Sequence, residues 1–169
     1  MSAYPKFASA ALIASALALS ACASKAPKQL PPDPGVSTTT DAGNGAPIPG
    51  SQADFLAFTQ GADTIYFDTD RYNIDSADAA ALQTQVQWLS RYPAKRATIE
   101  GHADERGTRD YNLALGERRA NSTKNYLVSL GVDASRINTV SYGKERPVAL
   151  GSDEASWARN RRAVTVTID

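Results

Sequence analysis

Residues 100–130 read EGHADERGTRDYNLALGERRANSTKNYLVSL, and the fold is decided at the change of period inside this run. Arg96 to His102 alternates as a strand, with Ala97, Ile99 and Gly101 on one side. From about Tyr111 the spacing becomes helical. Gly116, Ala120, Thr123, Leu127 and Leu130 form the stripe expected to be buried, and Gly131 supplies the stop one residue beyond it. Between strand and helix lies a short polar loop that begins at Asp104 and contains Gly107.

Working outward, Thr64-Ile65-Tyr66-Phe67 is a short β-rich run. Ser76 is read as the N-cap of a helix carrying Leu82, Val86 and Leu89 until Pro93 ends it. Downstream, Asn138 to Tyr142 is a third strand and Ala163 to Ile168 a fourth, with a short helical segment from Glu154 to Arg162 before the last. The order β-α-β-α-β-β predicts an α+β fold, a two-layer sandwich with helices packed on one face of a mixed sheet. Trp88 and Trp157 are expected to bury against sheet or loop.

The chain begins differently. Met1 to Ala21 carries one charge, Lys6, followed by an apolar stretch from Phe7 to Leu19. About 13 residues is too short to span a bilayer, which needs roughly 20; the pattern is that of a cleaved signal peptide over residues 1–21. Leu19-Ser20-Ala21-Cys22 resembles the lipobox of bacterial lipoproteins, which makes Cys22 the expected lipidation site and first residue of the mature chain. The absence of Asp after Cys22 favours the outer membrane by the same resemblance. Residues 22–53 read as a lipidated end and a linker, with Pro27, Pro31, Pro32, Pro34, Pro47 and Pro49 and almost no large apolar side chain. Residues 54–169 form the expected folded domain.

Composition removes several function classes. Eighteen basic and eighteen acidic residues give a formal net charge of zero, so there is no basic field for nucleic acid. One cysteine and one histidine exclude an internal disulfide and a multi-cysteine or two-histidine metal site. His102 is therefore assigned a hydrogen-bonded structural role. No GxSxG elbow or comparable nucleophile context is present, no cofactor is implied, and a binding module is expected instead of an enzyme. Arg159, Arg161 and Arg162 are read as partners of acids around the site, with Arg161 bracing its loop.

The site itself is proposed from chemistry and spacing. Leu115 and Asn112 stand four and seven residues before Arg119, on its helical face, so the loop at Asp104 and the first turns of the helix can enclose one pocket. A carboxylate beside a guanidinium can receive a zwitterion, Asp accepting from an ammonium while Arg forks onto a carboxylate. The same two residues could equally form an internal salt bridge that braces the loop.

Ile65-Tyr66-Phe67-Asp68, Glu100 to Gly107, Tyr111-Asn112-Leu113, Leu115 to Ala120, Ser141-Tyr142-Gly143 and Asn160 to Ala163 stand in an order that resembles the OmpA-like peptidoglycan-binding domain family, in particular its lipid-anchored members. The resemblance implies binding to the diaminopimelate of peptidoglycan stem peptides. By motif position Asp104 and Arg119 match the principal ligand residues and Asp70 a second acidic contact, while Thr69, Arg106, Asn112 and Leu115 form pocket wall. It also implies a tether from outer membrane to cell wall and partnership with the Tol proteins, TolB docking beside the pocket in competition with peptidoglycan. In that family the system serves envelope integrity and cell division. A passive wall-binding lipoprotein without Tol partners would share the pocket. Replacing Asp104 or Arg119 by Ala is expected to abolish wall retention with the fold intact.

Overall fold

On β2 (Arg96–His102) Ala97, Ile99 and Gly101 are buried while Thr98 and Glu100 between them are half exposed, so the strand has one covered face. The computed structural model describes residues 46–168. The signal segment, Cys22 and the linker as far as residue 45 lie outside the described residues.

Four strands form one mixed sheet in the order β1-β4-β2-β3. β3 (Ile137–Gly143) runs parallel to β2, while β4 (Arg162–Ile168) lies antiparallel between β2 and β1 (Thr64–Tyr66). The β2–β3 pair needs a crossover, and α3 (Arg109–Ser129) supplies it. Ile99 pairs with Thr165 and Ala97 with Thr167, so the covered faces of β2 and β4 coincide.

The helices take that face. Thr165 donates to Gln85 Oε1 at 2.6 Å on α2 (Ser76–Arg91), and Thr167 donates to Gln52 Oε1 at 2.6 Å on α1 (Gln52–Thr59). Leu82, Leu89 and Trp88 of α2 are fully buried against Ile65, Ile99 and Ile137. The α+β architecture is the expected one: a mixed sheet with its helices on one side.

Some local readings are corrected. α2 is capped by Asp75, not Ser76, because Asp75 accepts from the amide of Asp78 while the Asp78 carboxylate receives the amide of Asp75 in return. Leu130 leaves the buried stripe: it is the C-cap of α3 and more than a third exposed. α1 was not legible, and its first residues, Gln52 and Ala53, fall on the linker side of the boundary read at residue 54. Ser51 caps it, and Phe55 packs edge-on to Trp88 at 5.1 Å. Asp54 receives both the Gly50 amide and Trp88 Nε1 at 2.9 Å, which ties this helix to α2.

α3 sits unusually close to the sheet because glycine meets glycine. A Cβ on Gly101 would stand 1.9 Å from the Gly116 carbonyl oxygen, and one on Gly116 would stand 2.4 Å from Ser141 Oγ. This approach brings the start of α3 over the end of β2. Gly101→Ala is expected to cost about 3 kcal/mol, since backbone must move to admit the methyl. Gly131→Ala meets nothing within 4 Å and strains only a φ of +101°, so about 1 kcal/mol is expected. Urea unfolding of the two variants checks this; equal losses would show that close helix–sheet approach is not the constraint.

Candidate functional site

Where β2 ends and α3 begins, a cavity of about 280 Å³ opens. Its floor and one wall come from α3, where Tyr111, Leu115 and Arg119 stand at four-residue intervals and Asn112 lies beside them. The loop after β2 gives Asp104, Arg106 and Gly107, and the turn after β1 gives Thr69 and Asp70. All seven residues singled out by sequence thus line one cavity. Gly107 and Tyr111 are added. Tyr111 carried a readable signal, since it precedes Arg119 by two helical repeats on the same stripe.

Each element has a reason to be where it is. Asp104 Oδ1 accepts from the Arg106 amide at 3.1 Å, which folds the loop back on itself. Buried Asn112 donates to the Arg106 carbonyl at 2.7 Å, and Lys144 reaches the Gly107 carbonyl at 2.6 Å from outside. Gly107 takes a φ of +84°, the left-handed conformation that favours glycine. Thr108 then caps α3 by accepting from the Tyr111 amide.

The two principal residues do not pair with each other. Asp104, 9% exposed at its side chain, is forked by Arg106, with Nε donating to Oδ1 at 3.0 Å and Nη2 to Oδ2 at 2.7 Å. A second cation, Arg161 Nη1, stands 3.5 Å from Oδ2. Burial alone would raise the Asp104 pKa, but the hydrogen bonds and charge of Arg106, with Arg161 behind it, outweigh burial and hold it below the ordinary aspartate range. The internal brace foreseen for the loop exists, with Arg106 in the place of Arg119.

Arg119 is fully buried and grips backbone. Nε donates to the Arg71 carbonyl at 2.9 Å, Nη1 to the His102 carbonyl at 2.8 Å and Nη2 to the Asp68 carbonyl at 3.1 Å, with the Phe67 ring 5.1 Å from the guanidinium. Desolvation, then repulsion from Arg161, lowers its pKa to about 10, so it stays charged at neutral pH. The carbonyls of Asp68 and Arg71 belong to one tight turn, closed by the Arg71 amide on the Asp68 carbonyl. Within that turn Asp70 sits at φ +57°, a strained value for a residue with a Cβ. Arg119 holds the turn, and the turn presents Asp70 and Thr69 to the cavity, where Tyr111 Oη donates to Asp70 Oδ1 at 3.0 Å.

Of the three late arginines, Arg161 braces the site as read: Nε donates to the Phe67 carbonyl at 2.9 Å and Nη2 to Glu154 at 2.7 Å. Arg162 donates to the carbonyls of Asn160 and Arg146. Trp157, half-buried on α4 (Glu154–Asn160), lies 4.2 Å under the Arg106 guanidinium. His102 is structural: among the described residues neither ring nitrogen has a partner within hydrogen-bond distance, and Nε2 stands 3.7 Å from Glu100 Oε2 with the ring 5.5 Å from that of Tyr142.

The geometry separates two substitutions that the sequence treats alike. Arg119→Ala removes a donor from three carbonyls, of which that of Asp68 keeps the Arg71 amide, and is expected to destabilise the fold by about 3 kcal/mol, whereas Asp104→Asn keeps an acceptor for the loop and should cost far less; urea unfolding distinguishes them. A pH dependence follows from His102. Burial lowers its pKa, with Arg162 and Arg146 adding to burial and Glu100 opposing it, so the unfolded chain takes up a proton near pH 6.5 that the folded one refuses. Stability is then fully present above that pH and declines as pH falls below it. It is the only histidine in the chain, so unfolding midpoints compared at about pH 7.5 and about pH 5 report on it, while Asp78, whose pKa burial raises, opposes the change. His102→Phe should flatten the difference.

The comparisons with known proteins bear on this same region. The OmpA family model matches residues 66–161. The peptidoglycan-associated lipoprotein of Rhizobium meliloti (strain 1021) is 55% identical over 150 residues, covering 89% of this chain and 81% of that one. The peptidoglycan-associated lipoprotein of Haemophilus influenzae is 41% identical over 160 residues, covering 94% and 97%. The crystal structure of the peptidoglycan-associated lipoprotein from Burkholderia pseudomallei aligns with a TM-score of 0.61 and 48% identity over 62% of this chain and 89% of that one.

Proposed function

The chain belongs to the OmpA family and, within it, to the peptidoglycan-associated lipoproteins, and on that premise we propose that it tethers the outer membrane to the cell wall by gripping the diaminopimelate of peptidoglycan stem peptides. The observation that carries this reading is the cavity at the junction of β2 and α3, which brings opposite charges together over a small apolar wall. Asp104 and Asp70 offer acceptors to an ammonium, Arg106 and the buried charge of Arg119 offer a positive field to a carboxylate, and Leu115 contacts the methylenes between. Diaminopimelate has that pattern at its distal end, an ammonium and a carboxylate on one carbon. Thr69 and Asn112 complete the wall.

Cys22 is the anchor on this reading. Two or three acyl chains hold firmly where one holds only marginally. The folded part then faces the periplasm and acts as a binding module, not an enzyme. On the same reading the Tol system is its partner, TolB docking near the cavity and competing with the wall, in the service of envelope integrity and division. A noncovalent grip suits that role because it releases, so the link can move along the wall.

The test is a sacculus pulldown with the full-length chain in detergent. Asp104→Asn is expected to reduce retention at least tenfold, Asp70→Asn less, with melting temperatures close to that of the parent. Free meso-diaminopimelate should compete for the parent. Undiminished retention of Asp104→Asn would sink the assignment of the cavity.

A further inference from the structure

The end of the domain opposite the cavity is built from segments far apart in the chain. Arg136, in the turn Ala134–Arg136 after α3, donates Nε to the Lys95 carbonyl at 2.8 Å and Nη2 to those of Leu89 and Tyr92 at 2.9 Å. It thereby gathers the end of α2 and the starts of β2 and β3. The Thr167 amide and hydroxyl both donate to Gln52 Oε1, which joins the end of β4 to the start of α1. A Cβ on Gly50 would meet Tyr92 and Lys95 at 3.3 Å, so the first described residues lie on this same surface. β2 runs from Arg96 at this end to His102 at the cavity, a rise of about 20 Å.

Two properties set this end apart. Its exposed side chains include Pro47, Ile48 and Pro49 before α1, Leu130 at the end of α3 and Ile168 at the end of β4, with Ile48 73% exposed. Among them stand Arg91, Lys95, Arg96 and Arg136. The acids beside these, among the described residues, are already engaged: Asp133 accepts from the Ser135 amide, and Asp54 from the Gly50 amide and Trp88 Nε1. Asp169 follows Ile168 outside the described residues. The cavity end differs, with Asp68, Asp70, Asp75, Asp78 and Asp104 around its openings. A formal net charge of zero therefore covers an uneven distribution along the domain.

We propose that the end remote from the cavity docks on an anionic phospholipid leaflet, its exposed apolar side chains entering the headgroup layer and its basic side chains meeting lipid phosphates. Apolar tips among cations are the pattern that holds a protein surface at a charged membrane interface. The place of this end in the chain supports the same partner, since Ala46 leads back through residues 23–45 to Cys22. The inference rests on reading Cys22 as the lipid anchor. An anchor alone leaves the orientation of the domain free. Docking of this end fixes it, with the cavity turned away from the membrane and towards the wall. Contacts too weak to recruit a free protein suffice here, because a tether supplies a high effective concentration.

The experiment places the full-length lipidated chain in vesicles of phosphatidylethanolamine with phosphatidylglycerol, and in vesicles of phosphatidylcholine alone. A nitroxide on Leu130→Cys reports the remote end and one on Tyr72→Cys, beyond the turn after β1, the cavity end. In anionic vesicles the accessibility of the Leu130→Cys label to a water-soluble relaxing agent should fall about twofold or more relative to neutral vesicles, while the Tyr72→Cys label stays accessible. The added substitutions Arg91→Gln and Arg96→Gln, or salt at about 0.5 M, should restore accessibility. Equal accessibility of the Leu130→Cys label in both vesicles, equal shielding of both labels, or shielding that survives the charge substitutions would overturn the proposal. A chain that fails to float with either vesicle strikes the anchor reading itself and takes this proposal with it. Equal melting temperatures of the labelled chain with and without the charge substitutions exclude a folding defect as the cause.

Discussion

A guanidinium in the interior, with backbone carbonyls for partners, is the contact on which the site depends. Burying an unpaired cation is costly, and Arg119 meets that cost with three charge-assisted hydrogen bonds and an aromatic ring, while Asp104 and Asp70 add longer-range attraction. The three carbonyls come from two places far apart in the chain, the turn after β1 and the end of β2, and the arginine comes from a third, the middle of α3. One side chain therefore fixes the relative positions of all three segments that line the cavity. The left-handed conformation of Asp70 persists because this turn is over-determined from outside.

Close packing serves the same end. The glycine pair at 101 and 116 lets α3 lie against β2 closely enough for Arg119 to reach the His102 carbonyl. At Gly143, a Cβ would meet the Leu113 amide nitrogen at 2.9 Å, so the end of β3 presses on the first turns of the same helix. The start of α3, the loop from Asp104 to Thr108 and the turn from Asp68 to Arg71 thus form a rigid rim. What remains mobile in principle on this rim is the half-exposed side chain of Arg106, held by Trp157 and Glu154 from α4 as well as by Asp104.

The parts of this arrangement that follow from periodicity were legible in the sequence. β2 and α3 announce themselves by alternation and by a four-residue stripe, and that stripe put Asn112, Leu115 and Arg119 on the face towards the Asp104 loop. α1 was not legible: Ala53, Phe55, Leu56, Ala57 and Phe58 are apolar without a helical rhythm, and only Phe55 and Thr59 are buried, so its order comes from Asp54 and Phe55 meeting Trp88. The partners of Arg119 were hidden for a different reason. Carbonyls are common to every residue, so the identity of the side chains in the turn gives no sign of which backbone an arginine will hold. Charge complementarity suggested Asp104 for Arg119; the nearer and more flexible Arg106, two residues along a Gly-containing loop, takes that place.

On the proposed reading a reversible grip combined with a lipid anchor would relax what the cavity must achieve. In general a flexible tether of about 30 residues spans near 30 Å at rest, and short flexible tethers raise the effective concentration at a second site to the millimolar range. On the proposed reading a pocket of modest affinity would suffice to hold an anchored domain at a wall within that distance, which suits a site that is small, half open and paired on its acidic side with its own arginine. High intrinsic affinity would slow release and work against redistribution along the wall. Selectivity is the property the geometry favours: opposite charges fixed on one small rim discriminate ligands by their pattern of charge.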